Sequence, residues 1–596
     1  MKHMRTSRLL SAVLAATAVS TLTASVGHAA TSTDPVYNYF QNLKTQAKKK
    51  TTTGTTTGTT TGTTTGTTTG TTTGTTTDTT TGTTTATAPS LTSATVVLNA
   101  AQDISETGGN DLAAARTLFR SASYPESNGG LETSSALLSG IGNTYSRTIN
   151  AEDGSRLDAS GAFVPADRLT WNLPWIKRYG LNAHVIVGQR QPAFIGAGSA
   201  AQWTTAQWAT YEDYAYKLVQ WVATQFDGTG FPETTFEVGN EVDITGDTRD
   251  LWTLANPSVP QGDDTRYQHY MRVYPAWAKA VDRVARETGR SVKIAGPALG
   301  GQSLFLTNSF WHERFINDVS ARSLRLDVLS HHFYGDILNG WANTPGSSLR
   351  AQLQRMRAAL NGKGRGNTPI VVSEYGPSES SDAKFGRINF SHESAAWAAM
   401  FVQEALAGTA TGGSYLLVRD NFGADAIGTP GITSFTHFRN GVDYPKAAYN
   451  AFKAVTMLPG TRKAVTLSTA QPTVRALAGA SATSAGLLAY NYNYRFADAV
   501  DLTTNQNVTP GFSGLAFNGG VTVERHLVDQ NTSNVARYLD ANQTPDLGGS
   551  SLTRVEQCNA SVIDGKLLLP ARTLGPSAVS LWTVKAGATS GAPTCQ

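Results

Sequence analysis

The sequence predicts an α/β protein whose main body is a (β/α)8 TIM barrel with a C-terminal β-sandwich, preceded by a signal peptide and a disordered Thr/Gly linker. Three observations carry that prediction. Short apolar or β-branched runs alternate with amphipathic helical segments over about 340 residues, the length of eight βα units. Beyond Met457 the helical period stops, and short strand-like runs between Gly, Asn and Pro turns take over. No G-x-G-x-x-G follows any of the strands, as the runner-up, a doubly wound nucleotide-binding sheet, would require at its first turn.

In chain order, Lys2, Arg5 and Arg8 precede an apolar run from Leu9 to Leu22, and Gly27-His28-Ala29 supplies small residues where a signal peptidase cuts. Residues 1–29 are therefore expected to be a signal peptide, and the mature protein to be secreted, periplasmic or associated with the cell envelope. The apolar run is too short for a membrane span. Residues 30–50 form a short segment ending in three lysines. From Thr51 to Ala86 stand nine four-residue units of TTTG type, varied at Asp78 and Ala86. Such a tract has no side chain that can build a core. Residues 51–90 thus read as a linker, and residues 31–86 as a candidate tether to the envelope.

The barrel is expected over residues 91–457. Its strands are read at Tyr145–Ile149, Asn182–Val187, Thr234–Val238, Ser291–Ala295, Leu326–Ser330, Pro369–Ser373 and Ser414–Val418, with a weaker one within Ala115–Ser123. Helices are read at Trp208–Phe226, around Met271 to Val284 with a Pro275 kink, at Ser394–Leu406 and at Ala447–Met457. Residues 458–596 read as the sandwich, and the strand-like Ala94–Asn99 is a candidate to join it. Cys558 and Cys595, the two cysteines of the chain, could close a disulfide in an oxidising compartment; two free thiols are the alternative.

Two of the strands end in carboxylates. Phe236-Glu237-Val238-Gly239-Asn240-Glu241 closes the fourth and Ile370-Val371-Val372-Ser373-Glu374-Tyr375-Gly376 the seventh, at the barrel end where active sites of this fold lie. Three βα units separate Glu241 from Glu374, so the two face each other across the mouth. Glycosidic cleavage needs such a pair, one carboxyl protonated for the leaving oxygen and one ionised for the anomeric carbon or a water.

In those two motifs the chain resembles the clan of retaining glycoside hydrolases built on this barrel, most of all family 39, the β-xylosidase and α-L-iduronidase family. Supporting residues are Gly296-Pro297, Ser330-His331-His332-Phe333-Tyr334-Gly335, Pro445-Lys446-Ala447-Ala448-Tyr449-Asn450-Ala451-Phe452, and Val528-Asp529 with Thr532-Ser533-Asn534. The chain departs from the family's W-N-E-P-D, reading Gly239-Asn240-Glu241-Val242-Asp243 instead. The resemblance implies a β-xylosidase-like enzyme with Glu241 as acid and then base and Glu374 as nucleophile. It also implies that Asn240 bonds the hydroxyl beside the reacting carbon, that Arg147 and Tyr334 hold Glu374 ionised and oriented, and that His332 reaches a sugar hydroxyl or packs into the rim.

Other chemistries find no foothold. Lys+Arg 48 against Asp+Glu 44 gives a net charge of +4 and no field for nucleic acid. No serine has Gly on both sides at two-residue spacing, and His312-Glu313 lacks the second His of a zincin. No cofactor and no metal is implied. Alternatives within the carbohydrate reading are an endo-glycosidase acting on bacterial exopolysaccharide, a glucuronidase- or heparanase-like hydrolase using Arg190 or Arg419, and a non-catalytic carbohydrate-binding surface protein. Trp171, Trp175, Trp203, Trp208 and Trp341 are candidates to stack on sugar, though helix-borne tryptophans more often fill a core.

Overall fold

The computed structural model describes residues 92–104, 112, 118, 121–122, 131–142, 145–152, 154–195, 203–243, 264–300, 311–335, 348–378, 386–420, 430–467, 473–492 and 504–596. The expected signal peptide and Thr/Gly linker lie outside the described residues. Among the described residues no helix is long and apolar enough to cross a membrane.

Eight strands form one parallel sheet: β1 (Ser121–Ala122), β2 (Tyr145–Asn150), β3 (Asn182–Val187), β4 (Glu233–Val238), β5 (Ser291–Leu299), β6 (Val328–Tyr334), β7 (Ile370–Gly376) and β8 (Gly412–Tyr415). The ladder runs β1-β8-β7-β6-β5-β4-β3-β2, and β1 and β2 at its two ends touch each other, so the sheet closes on itself. Each gap in the sequence of strands is bridged by a helix: α1 (Leu131–Gly140), α2 (Asp167–Arg178), α3 (Thr205–Gln220), α4 (Asp264–Thr288), α5 (Trp311–Ala321), α6 (Leu349–Asn361), α7 (Glu393–Ala407) and, after β8, α8 (Ala447–Thr456). Parallel neighbours need such crossovers, and their helices bury the apolar outer face of the strands. α3 begins at a capping box, Thr204 with Gln207. α4 runs unbroken through Pro275.

Several strands extend further than their apolar runs. β5 continues through Gly296-Pro297 to Leu299, β6 through His331-His332 to Tyr334 and β7 through Glu374 to Gly376. These additions sit at the C-terminal ends and carry the polar residues of the mouth. The β6–β7 register slips between Val372 and Glu374. A bulge of this kind re-aims the side chain beside it, here Glu374.

Ten strands make the second sheet, in two halves joined, among the described residues, by the pairs Thr461 with Ala480 and Arg462 with Gly479. Val96, Val508 and Phe512 of one half share a core with Leu487, Val523 and Trp582 of the other, so the halves pack face to face as a sandwich. The strand Thr92–Asp103 belongs here, parallel to Gln506–Ser513 and antiparallel to Thr461–Leu467. Cys558 and Cys595 are joined in a disulfide.

Candidate active site

The mouth of the barrel is built on Arg147. It stands in β2, fully buried, and each of its three guanidinium nitrogens is engaged. Nε donates to Glu237 Oε2 at 2.6 Å, Nη1 to Glu374 Oε2 at 2.8 Å, and Nη2 to Asn240 Oδ1 at 2.8 Å. Nη2 also meets His332 Nε2 at 3.3 Å. An arginine offers only donors, so His332 Nε2 accepts and its ring proton sits on Nδ1. Nδ1 is 3.0 Å from Glu241 Oε1, to which it donates. Tyr334 donates to the other oxygen of Glu374 at 2.7 Å. One oxygen of Glu241 lies within 4.8 Å of one oxygen of Glu374.

Backbone conformation aims Glu241. After β4 the chain turns through Gly239 at φ +85°, with its N–H on Val187 O at 2.8 Å. A Cβ at Gly239 would come within 2.8 Å of Val242 and 3.2 Å of Tyr270, which is why the aromatic of the family pattern has no place here. Glu241 itself has φ +53°, a left-handed conformation unusual outside glycine, and its N–H bonds Ala298 O at 2.8 Å. Strain of this size, about 1–3 kcal/mol, persists only where the surroundings enforce it and gathers at functional positions.

The two carboxyls differ electrostatically. Burial pushes Glu241 up from the usual carboxylate range, and the charges of Glu374 and Asp243 add to that against the hydrogen bond from His332. Glu374 takes two donors, one of them a full positive charge. A carboxyl of raised proton affinity thus faces one oriented by an arginine and a tyrosine. Glu241, His332 and Glu374 also stand close enough to share an ion, but the Arg147 guanidinium already supplies the positive charge on Glu374 that a cation would bring.

All six residues singled out for the site, Arg147, Asn240, Glu241, His332, Tyr334 and Glu374, are therefore in one buried network. His332 takes part through the protein and not through an open ring edge, since both its nitrogens are engaged inside. Two members went unread in the sequence. Glu237 bonds Arg147 from within β4, and His184 Nε2 in β3 lies 3.6 Å from Glu237 Oε2. The available signal was a charged or imidazole side chain inside an otherwise apolar barrel strand, which must find its partner across the lumen.

Residues proposed for an acidic sugar fare differently. Arg419 directs Nε to Asp443 at 3.0 Å and Nη2 to the same carboxylate, while Arg190 is buried within the loop after β3, its N–H on Glu152. Trp203 and Trp208 meet Tyr211 edge-on in the wall between β3 and α4, and Trp175 stacks on Tyr179, so these three are packing residues. The side chain of Trp171 and the whole of Trp341 lie outside the described residues.

No protein-family model and no curated protein matches the sequence. Solved structures do. The chain is similar to a family 39 glycoside hydrolase of Xanthomonas axonopodis pv. citri, at 15% identity and TM-score 0.59, covering 84% of this chain and 98% of that one. A monomeric β-xylosidase of Caulobacter crescentus aligns at 16% identity and TM-score 0.58, covering 82% and 99%. A glucosidase of Croceicoccus marinus aligns at 17% identity and TM-score 0.56, covering 84% and 100%. This chain therefore has the fold of the family 39 glycoside hydrolases, a (β/α)8 barrel carrying a β-sandwich.

Proposed function

We propose that the protein is a secreted, retaining, β-xylosidase-like glycoside hydrolase. The observation that carries this reading is the pair Glu241 and Glu374, with oxygens within 4.8 Å of each other, one carboxyl raised and the other held by Arg147 and Tyr334. Retaining enzymes hold their carboxyls about 5–5.5 Å apart, whereas inverting ones leave about 6.5–9.5 Å for a water. In the first step a Glu374 oxygen bonds the anomeric carbon as the glycosidic C–O bond breaks, and the Glu241 proton passes to the leaving oxygen. The negative charge of Glu374 disappears in the glycosyl-enzyme, which removes one of the influences holding Glu241 protonated. Glu241 then takes a proton from water, the water oxygen bonds the anomeric carbon, and Glu374 is released. Asn240, fixed by Arg147, offers its amide to the neighbouring hydroxyl.

The β-xylosidase and glucosidase among the similar structures support a small neutral sugar in the mouth, and Arg419, one of the two arginines considered for an acidic sugar, is engaged by Asp443. The test is hydrolysis of aryl β-xyloside, β-glucoside and α-L-iduronide by the mature protein. Glu374→Ala and Glu241→Ala are each expected to lose activity by about three or more orders of magnitude. Azide is expected to restore turnover to the Glu374 variant and yield a glycosyl azide of inverted configuration. Full activity in either variant sinks the assignment. Export is tested by the N-terminus of the protein recovered from culture medium, expected near residue 30.

A further inference from the structure

The two-step reaction leaves one buried carboxylate without a task. Glu237 is fully buried in β4, inside the barrel and beneath the mouth. Burial works to raise its proton affinity, but the charge of Arg147, helped by the neighbouring His184, outweighs that and holds the carboxyl well below the usual carboxylate range. An arginine commonly gives two nitrogens to the two oxygens of one carboxylate. Arg147 does not. Its Nε serves Glu237 at 2.6 Å and its Nη1 serves Glu374 at 2.8 Å, so one cation is divided between two anions.

We propose that Glu237 is a positioning residue that divides the charge of Arg147, so that the guanidinium orients Glu374 without neutralising it; this rests on the glycosidase reading above. With Glu241 protonated, Arg147, Glu237 and Glu374 together carry one positive and two negative charges, a net charge of −1. The positive charge that develops at the anomeric carbon then meets a net negative, water-poor site, where fixed charge acts strongly. With a neutral residue at position 237 the same set sums to zero, and the nucleophile faces an undivided cation. No bond forms or breaks at Glu237 and no proton leaves it. The groups facing it are Arg147 from β2, His184 from β3, His332 from β6 and Tyr270 from α4. Those facing Glu374 are Arg147, Tyr334 and Glu241.

Dividing a cation and merely fixing its position have opposite consequences when Glu237 is changed. Glu237→Gln keeps an acceptor for Nε but removes the second anion, which favours the ionised nucleophile and weakens its attack. Measured on an aryl glycoside that the wild type hydrolyses, kcat should fall about 10- to 100-fold with KM changed by less than about threefold, as for a loss felt in the transition state. The acidic limb of the kcat/KM profile should move to lower pH. If Glu237 only holds Arg147 in place, the nucleophile loses its cation and that limb moves to higher pH; a raised or unmoved limb overturns the proposal. Should Glu237→Gln not fold, Glu237→Asp carries the test. It keeps the anion one methylene further from Nε, so the limb is expected at the wild-type position or lower, and a raised limb again overturns the proposal. A wild type that hydrolyses no glycoside is a separate outcome, which removes the glycosidase reading itself.

Discussion

His332 shows how much of this site acts through contacts that never touch substrate. Its Nδ1–H stabilises the ionised form of Glu241, opposing burial and the neighbouring carboxylates. A group with a raised proton affinity keeps its proton at low pH and loses it as pH rises, so the acid role of Glu241 fades on the basic side of the profile. Removing the donor in His332→Phe should let Glu241 keep its proton longer. The basic limb of kcat/KM is expected to move to higher pH, while kcat falls because the second step needs Glu241 ionised. A limb that stays in place contradicts the link. The sequence made Glu241 and Glu374 legible because each closes an apolar strand, where a carboxylate has no packing role. Glu237 and His184 were hidden by the opposite circumstance, since each is flanked by apolar residues that point outward to the helices. Only the two-residue period of the strands separates Phe236 and Val238 on one face from Glu237 on the other.

Between elements, the loops at the mouth are tied by a second buried acid. Glu152, just after β2, accepts the N–H groups of Gln189 at 2.7 Å and Arg190 at 3.0 Å, and the Tyr211 hydroxyl at 3.1 Å. It thereby joins the loops after β2 and β3 to α3. Burial pushes its carboxyl up to about 8, against those hydrogen bonds. The folded protein thus holds this proton up to about pH 8, while the unfolded chain releases it near 4.5. Between these values the folded state binds more protons, so this group's stabilisation is complete at low pH and is lost as pH rises, on the order of a few kcal/mol across the window. In Glu152→Gln the amide oxygen can accept from Gln189 and Arg190 and the amide NH2 can donate to Tyr211. Thermal melts from pH 5 to pH 8.5 should show a shallower decline of Tm than in the wild type; an equal decline assigns the slope elsewhere. Element boundaries were the less legible part of the fold for a related reason. Ladder pairing uses the backbone, so β6 continues through two histidines, and β8 begins at Gly412-Gly413 where no β-former stands. Gly413 is there because a Cβ would meet Leu118 O at 2.7 Å and the Tyr375 ring at 2.9 Å.

At the scale of the whole molecule, barrel and sandwich share a core. Leu477, Leu488, Tyr490, Val528, Val579 and Leu581 belong to sandwich strands, yet they pack in the same buried cluster as the barrel helices. Polar contacts cross the same seam: Asn450 of α8 donates to Ser533 O at 2.8 Å and Ser550 O at 2.7 Å, and Arg387 reaches Asp540. The sequence showed where the helical period ends but could not show that the faces on either side of Met457 belong to each other, because shared burial leaves no local period. Chain topology deepens the dependence, since Thr92–Asp103 precedes the barrel and both of its partners among the described residues follow it. A chain ending at Met457 would leave that strand without a ladder and expose the apolar backs of α7 and α8. It is therefore expected to be insoluble or to melt without cooperativity, and the mature protein to unfold in one calorimetric transition, with equal calorimetric and van't Hoff enthalpies. Two resolved transitions, or a soluble and cooperative barrel fragment, would show the seam to be weaker than its shared core and topology require. The same coupling bears on the chemistry. α7 and α8 follow β7 and β8, so the sandwich buttresses the side of the barrel that carries Glu374, and destabilising it should lower kcat in step with the folded fraction and leave KM unchanged.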